Sequence, residues 1–346
     1  MKGHMMTGGT ALREFQDVAR RAADAGYAGL VVTEAGRTAY LSCAAAALSG
    51  ADLDLATGVA VAFPRSPMVT ASVAWELAEA TGGRFRLGIG PQVRAHVERR
   101  YSSEFEHPGP RLREYVEALH VIFDAFRGAR PLDYEGEFYR FSLLPPTWSP
   151  GAIDAPNPPV DVAAVNPWML RMAGTVADGV HVHPLNARAY YEQTVLPNLR
   201  TGLDRSGRDP STFTVFVPVF TVPGDSEEER VEWREASRAM VAFYGSTPNY
   251  AFIFEQLGAP DTTARLRAAQ KSGGPGEMAK VVDDDLLAHF VVEGTWDELP
   301  HAIAKRCEPL RAFDAQVVLY HAGMAARRRD DSYARLGDVA HRLAAL

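Results

Sequence analysis

Cysteine is nearly absent from this 346-residue chain, with Cys43 and Cys307 the two present. Two thiols so far apart in sequence make neither a disulfide framework nor paired zinc ligands, and a reducing, cytoplasmic setting is the simplest expectation. Long apolar runs are missing too. No window reaches the ~18 uninterrupted apolar residues of a membrane span, and the opening MKGHMMTGGT lacks the apolar stretch of a secretory signal. Excess positive charge is also absent. A formal net charge of −7 argues against a general nucleic-acid binder and leaves any anionic ligand dependent on a local group of arginines. There is no P-loop, no G-x-S-x-G elbow, and no G-x-G-x-x-G opening a helix after a first strand. Phosphoryl transfer, serine hydrolysis and a Rossmann dinucleotide site therefore have no support in the sequence.

What is present is a composition of 47% hydrophobic and 23% charged residues, enough for a large core in one domain. Apolar runs of strand length alternate with segments of helical period. In the first such unit Leu12, Phe15, Val18, Ala19 and Ala22 share a helical face, Gly26 suits the stop, and Gly29 to Thr33 reads as a strand. Further strands are expected at DLATGVAVAF (Asp54 to Phe63), RFRLGIGP, PPVDVAAV, GVHVHP, FTVFVPVFTV and AQVVLY, with a poor first one near Gly3 to Met6. Helices are expected from about Met68 to Ala80, stopped by Gly82-Gly83, and along the face marked by Leu112, Tyr115, Val116, Leu119, Ile122, Phe123 and Phe126. Eight strands interleaved with helices predict a (β/α)8 TIM barrel with insertions after strands four and seven. It is read as a single domain over 1–346, with excursions at about 132–151 and 226–293, the second mostly helical. A doubly wound open sheet is the rival architecture.

In a barrel the working residues follow the strands, so candidates are found by position. Gly58 interrupts strand three, where a glycine marks a bulge or a close approach to the backbone. Glu34 ends strand two and suits either a ligand contact or a salt bridge; Arg65 leaves strand three. Arg94, Arg99 and Arg100 after strand four form either a solvated helix face or, at Arg94, an anion contact. Asn166 and Pro167 after strand five read as an N-cap and first helical residue. They offer a phosphate site at a helix start, or plain capping. His181 and His183 fall on one face of strand six. They read as polar lining, structural hydrogen bonding, or two ligands of a metal-dependent hydrolase short of a third.

The ordered segments GYAGLVVTE, LATGVAVAFPRSPMVTASVAWELAEATGGRFRLGIGPQVRAHVERRY, REYVEALHVIFDAF, YEGEFYRF, MLRMAGTVADGVHVHP and VEGTWDELPHAIAKR resemble the luciferase-like monooxygenase superfamily, and more closely its coenzyme F420-dependent oxidoreductases. The resemblance implies a TIM barrel with an excursion after strand seven and a deazaflavin or flavin across its mouth. The cofactor ring would rest against a strand-three bulge containing a non-prolyl cis peptide, by position Gly58–Val59. It further implies a phosphate-binding turn at Val165, Asn166 and Pro167, with Gly90, Gln92 and Arg94 near the rest of the cofactor and Arg65 as a further contact.

An Asp-His pair that ends strand two in many F420 enzymes is replaced here by Glu34 and Ala35. The proton-donor candidates are then His181, His183, Glu34 and Tyr244. F420 has carbon where flavin has N5, so its reduced form transfers hydride and does not readily form the oxygen adduct of flavin monooxygenases. The activity this implies is hydride transfer between F420 and a small carbonyl, imine or activated alkene, without metal. The alternatives are an FMNH2-dependent monooxygenase using O2, a hydrolase built on His181 and His183, and a non-catalytic flavin-binding barrel. Barrels of this superfamily are often homodimers, which makes a homodimer the expected assembly.

Overall fold

A computed structural model describes residues 1–320 and 331–346. Its centre is a parallel sheet of eight strands closed on itself: β1 Lys2–Gly8, β2 Gly29–Thr33, β3 Asp54–Thr57, β4 Phe85–Gly90, β5 Val160–Ala164, β6 Gly179–Val182, β7 Thr214–Pro223 and β8 Asp314–Tyr320. Each strand pairs with the next in the chain, β8 pairs with β1, and β6 to β7 completes the ring. This is the (β/α)8 architecture expected from the alternation of apolar runs.

Local chemistry sets the helices that cover the barrel. Helix α1, Leu12–Ala25, stops where Gly26 takes φ 98° and its N–H caps Ala22 and Ala23, a left-handed position that glycine adopts without a Cβ penalty. Helix α2, Ala39–Ala47, was not marked by periodicity because its nine residues are almost all small or apolar. Helix α3, Pro67–Ala80, starts on a Ser66 cap and ends before Gly82-Gly83. Helix α4, Pro108–Phe126, buries the seven residues that marked its face. Helix α5 runs from Pro167 to Val176.

Three strand expectations are corrected. The first strand is longer than Gly3 to Met6 and pairs on both sides, with β2 from His4 to Gly8 and with β8 from Lys2 to Met5. It looked poor because GHMM lacks β-branched residues; two paired neighbours override that preference. The third strand is not continuous to Phe63. It stops at Thr57 and resumes as Ala60–Val61. The mostly helical stretch after strand seven contains the short strand Val291–Gly294, which pairs with the end of β7 from Phe220 to Pro223. Of the expected excursions, the one after strand four carries a small hairpin, Tyr134–Glu135 against Arg140–Phe141.

Most of the core lies between sheet and helices, while a small cluster of Val31, Ala56, Phe216 and Val318 fills the barrel interior. Below it the interior turns polar. Arg86 grips Asp161 through two hydrogen bonds of 2.9 and 2.6 Å, with the Asp161 side chain fully buried. His4 Nε2 pairs with Gln316 Oε1 at 2.8 Å. A charge so enclosed persists only when paired and hydrogen-bonded. The described helices include none long and apolar enough to cross a membrane.

Candidate active site at the C-terminal mouth

The strands point their C-terminal ends at one mouth, and the break in β3 sits there. From Ala56 to Ala60 the chain advances four residues while β4 advances three, from Arg86 to Ile89. This extra residue is a β-bulge, which re-aims backbone and side chains beside a site. The Gly58–Val59 peptide within it is cis. A Cβ at Gly58 would collide with Val31 Cγ1 and lie 3.5 Å from His181 Nδ1, so the glycine allows a close approach of the barrel interior to the backbone. A Cβ at Gly90 would meet Val59 Cγ2 at 2.9 Å and Ala163 Cβ at 3.2 Å. Gly58 and Gly90 thus let Val31 and the Val59 side chain pack closely against the backbone of β3 and β4 at the bulge.

Glu34 takes the salt-bridge alternative and anchors the bulge. Its side chain is 3% exposed and paired with Arg65 through bonds of 2.8 and 2.6 Å, and it accepts the Val61 N–H at 2.7 Å. Arg65 also donates to Val61 O at 2.9 Å and lies over the Tyr40 ring. The two Arg65 bonds and the Val61 N–H all use Glu34 as an acceptor, so it holds the resumed strand in place.

Asn166 is the N-cap expected of it: its Oδ1 accepts the Met169 N–H at 2.9 Å, with Pro167 as the first helical residue of α5. Leu170 N–H goes to Asn166 O, and proline has no N–H. In this first turn the Trp168 N–H is the donor outside these bonds, a narrower anion site than an uncapped turn. Val165 O accepts the Tyr190 hydroxyl at 2.6 Å. On the β4 side Gln92 has φ 60° and its own Oε1 accepts the Val93 N–H. Arg94 is exposed on the short helix Arg94–Arg99, paired with Glu98 and Glu106 at 2.6 and 3.3 Å. Arg100 donates to Ala35 O.

The two histidines of strand six serve at different depths. His181 is 7% exposed, stacked on Phe216 with centroids 4.5 Å apart, and its Nε2 has no hydrogen-bond partner; Asp161 Oδ2 is 4.0 Å away. Burial pushes its pKa down to about 4, against the pull of Asp161. It is a neutral ring beneath the bulge. His183, just beyond Val182, is half-buried at the mouth, where burial pushes it down to about 3. Its Nδ1 accepts the Leu185 N–H at 3.0 Å. Tyr244, near the end of helix Glu227–Gly245, meets the His183 ring edge-on at 4.9 Å and bonds the Tyr320 hydroxyl at 3.0 Å. Tyr250 closes the segment FYGSTPNY, whose aromatics the sequence offers as a cover for the pocket; Tyr320, which sequence reasoning missed, completes this aromatic side.

Among the described residues no three His, Cys, Asp or Glu side chains converge as metal ligands. A surface cavity of about 440 Å³ is lined in part by Arg234, Asp284 and Glu293, and none of the mouth residues described above lines it.

The luciferase-like monooxygenase profile matches residues 1–312. The chain belongs to this family. Among its relatives, an uncharacterised Mycobacterium tuberculosis protein is 39% identical over 295 residues, covering 83% of this chain and 87% of that one. The 5,10-methylenetetrahydromethanopterin reductase of Archaeoglobus fulgidus is 28% identical over 271 residues, 76% of each chain. The solved structure of the coenzyme F420-dependent tetrahydromethanopterin reductase from Methanopyrus kandleri superposes with a TM-score of 0.74 at 20% identity, covering 98% of this chain and 97% of that one. A type II Baeyer–Villiger monooxygenase from Pseudomonas putida, solved in complex with FMN, shares the fold with a TM-score of 0.63 at 17% identity, covering 99% of this chain and 98% of that one. This member of the luciferase-like family is an oxidoreductase whose relatives work with F420 or flavin.

Proposed function

We propose that this protein is an F420-dependent oxidoreductase that moves hydride between the deazaflavin and a small organic substrate with a carbonyl, imine or activated double bond. The observation that carries the reading is the bulge in β3 at Gly58–Val59, beside Gly90 of β4 and on the other side of the mouth from the half-buried His183 and Tyr244. A flat ring can rest against this bulge, where the backbone departs from the sheet and Val59 is the side chain that bears on it. Sequence similarity over 89% of the chain to a Mycobacterium tuberculosis protein named a putative coenzyme F420-dependent oxidoreductase favours deazaflavin over FMN.

In this reading Gly58, Val59 and Gly90 bear the ring, while Trp168 N–H at the capped start of α5, with Val165, Asn166 and Pro167 shaping the turn, and Arg94 take the anionic tail. Bound there, reduced F420 supplies hydride to an electrophilic carbon. The Glu34–Arg65 clamp keeps the bulge in position. His181 supports the bulge from below as an uncharged ring. The proton that completes the reduction comes from His183 Nε2 or the Tyr244 hydroxyl, both poised at the mouth and neutral at physiological pH.

Titration of the purified protein with oxidised F420 and with FMN, followed by fluorescence, tests this. Micromolar binding of F420 with FMN at least tenfold weaker is the expected result. Micromolar FMN binding without F420 binding overturns it in favour of an FMNH2-dependent monooxygenase, the reading kept open by the family's flavin members.

A further inference from the structure

We propose that the β6–β8 side of the mouth is a subsite for a neutral, flat, aromatic or conjugated molecule carrying one carbonyl or imine acceptor, held by His183 Nε2–H and by the hydroxyl pair Tyr244–Tyr320. The claim deepens the oxidoreductase reading by naming the substrate class, and it rests on that reading for the chemistry that follows binding.

The loop after β6 fixes the first donor. Asn186 is buried and donates through Nδ2 to His183 O at 2.9 Å, Pro184 O at 3.2 Å and Pro218 O at 2.8 Å, while its Oδ1 accepts the Tyr191 hydroxyl and its carbonyl accepts Arg306. Within this tied loop Leu185 N–H donates to His183 Nδ1 at 3.0 Å. An Nδ1 that accepts leaves the ring proton on Nε2. The imidazole is thereby fixed as a donor at the mouth.

Two hydroxyls in contact provide the second donor. With 3.0 Å between the Tyr244 and Tyr320 oxygens, one hydroxyl donates to the other, and the acceptor keeps its own O–H for a ligand. Aromatic faces supply the walls. Tyr250 lies 4.2 Å from His183 at 42°, Phe220 lies 5.0 Å from Tyr320, and the exposed Phe243 packs on Tyr244 at 5.3 Å. These rings come from the ends of β7 and β8, the helix Glu227–Gly245 and the turn Pro248–Tyr250.

Among the described residues, charge is what the subsite lacks. Among the described residues, His183 and Tyr250 are shifted by burial alone, and Tyr244 and Tyr320 by burial and by other tyrosines, so no ionic group bears on any of the four. An anion entering here would lose its hydration without a cationic partner among the described residues, which is costly. A carbonyl oxygen has two lone pairs and meets two neutral donors, and the flat body attached to it packs on aromatic faces.

The test uses three probes of similar shape titrated calorimetrically: benzamide, benzoate and ethylbenzene, each with no cofactor and after saturation with F420 or FMN. Benzamide is expected to bind at least tenfold tighter than benzoate. Tyr320→Phe and Tyr244→Phe, which keep the ring and remove one hydroxyl, are expected to weaken benzamide about tenfold while leaving ethylbenzene within about twofold. A purely structural role for the hydroxyls would move both probes together. Benzoate binding as tightly as benzamide, or benzamide affinity unchanged in both variants, overturns the proposal. If neither F420 nor FMN binds but the benzamide pattern holds, the cofactor reading fails and the subsite stands.

Discussion

At the scale of single residues, His181 carries the clearest consequence. Its pKa in the folded protein is about 4, below the ordinary value of 6.5, because burial disfavours the charged ring. As pH falls through 6.5 the unfolded chain takes up the proton first, so this contribution to stability is complete above about 6.5, is lost progressively down to about 4, and then levels off. Between pH 7 and pH 5 the loss amounts to about 2 kcal/mol. Urea unfolding at the two pH values should show it, and His181→Asn should flatten the difference; an equal pH slope in wild type and variant would contradict the assignment. His183 is displaced in the same direction, so the acid sensitivity of the whole protein exceeds that of His181 alone. Asn166 and Gly26 were readable in the sequence because capping is a local rule, settled within one turn of chain. Arg86 and Asp161 were not. Each is a lone charge in an apolar run, and only barrel closure shows that they face each other.

At the scale of elements, the bulge in β3 and the clamp that holds it act together. Glu34 and Arg65 are 31 positions apart, and no periodicity links them, so the sequence left Glu34 divided between ligand contact and salt bridge. Glu34→Ala removes one partner of a mostly buried pair and should cost about 3 kcal/mol in denaturant unfolding. It also frees the Val61 N–H, so cofactor affinity should fall further than stability alone would dictate, as seen by titration under conditions where the variant is fully folded. Unchanged affinity would detach the clamp from the site. Strand three was recognisable as a strand from its apolar residues and as interrupted from Gly58. The extra residue became visible only through its register with β4, which is set by the partner strand. The aromatic side of the mouth was less legible still: His183, Tyr244, Tyr250 and Tyr320 belong to segments that meet only after the ring closes.

At the scale of the whole molecule, binding at the mouth and folding are linked. A cofactor that binds the folded barrel alone, present at about 100 times its Kd, adds about 2.7 kcal/mol to the free energy of unfolding, or about 4 °C in Tm for a chain of this length. Thermal melts should show this shift with F420, and a much smaller one with FMN at the same concentration. The overall architecture was the most legible level, because eight apolar runs spaced by helical segments admit few closed arrangements.

The short strand Val291–Gly294 has a consequence for how the mouth changes between relatives. Chain leaving β7 at Pro223 returns beside it: Phe220 to Pro223 pair with Val291 to Gly294, and Gly224 N–H bonds Gly294 O at 3.2 Å. The two ends of the intervening stretch are therefore stapled together independently of what lies between them. Closure entropy grows only slowly with loop length, so that stretch is an interchangeable cassette. It brings Tyr244 and Tyr250 to the site, and exchanging it between barrels of this family should transplant substrate preference while leaving the cofactor side on β3 and β4 in register.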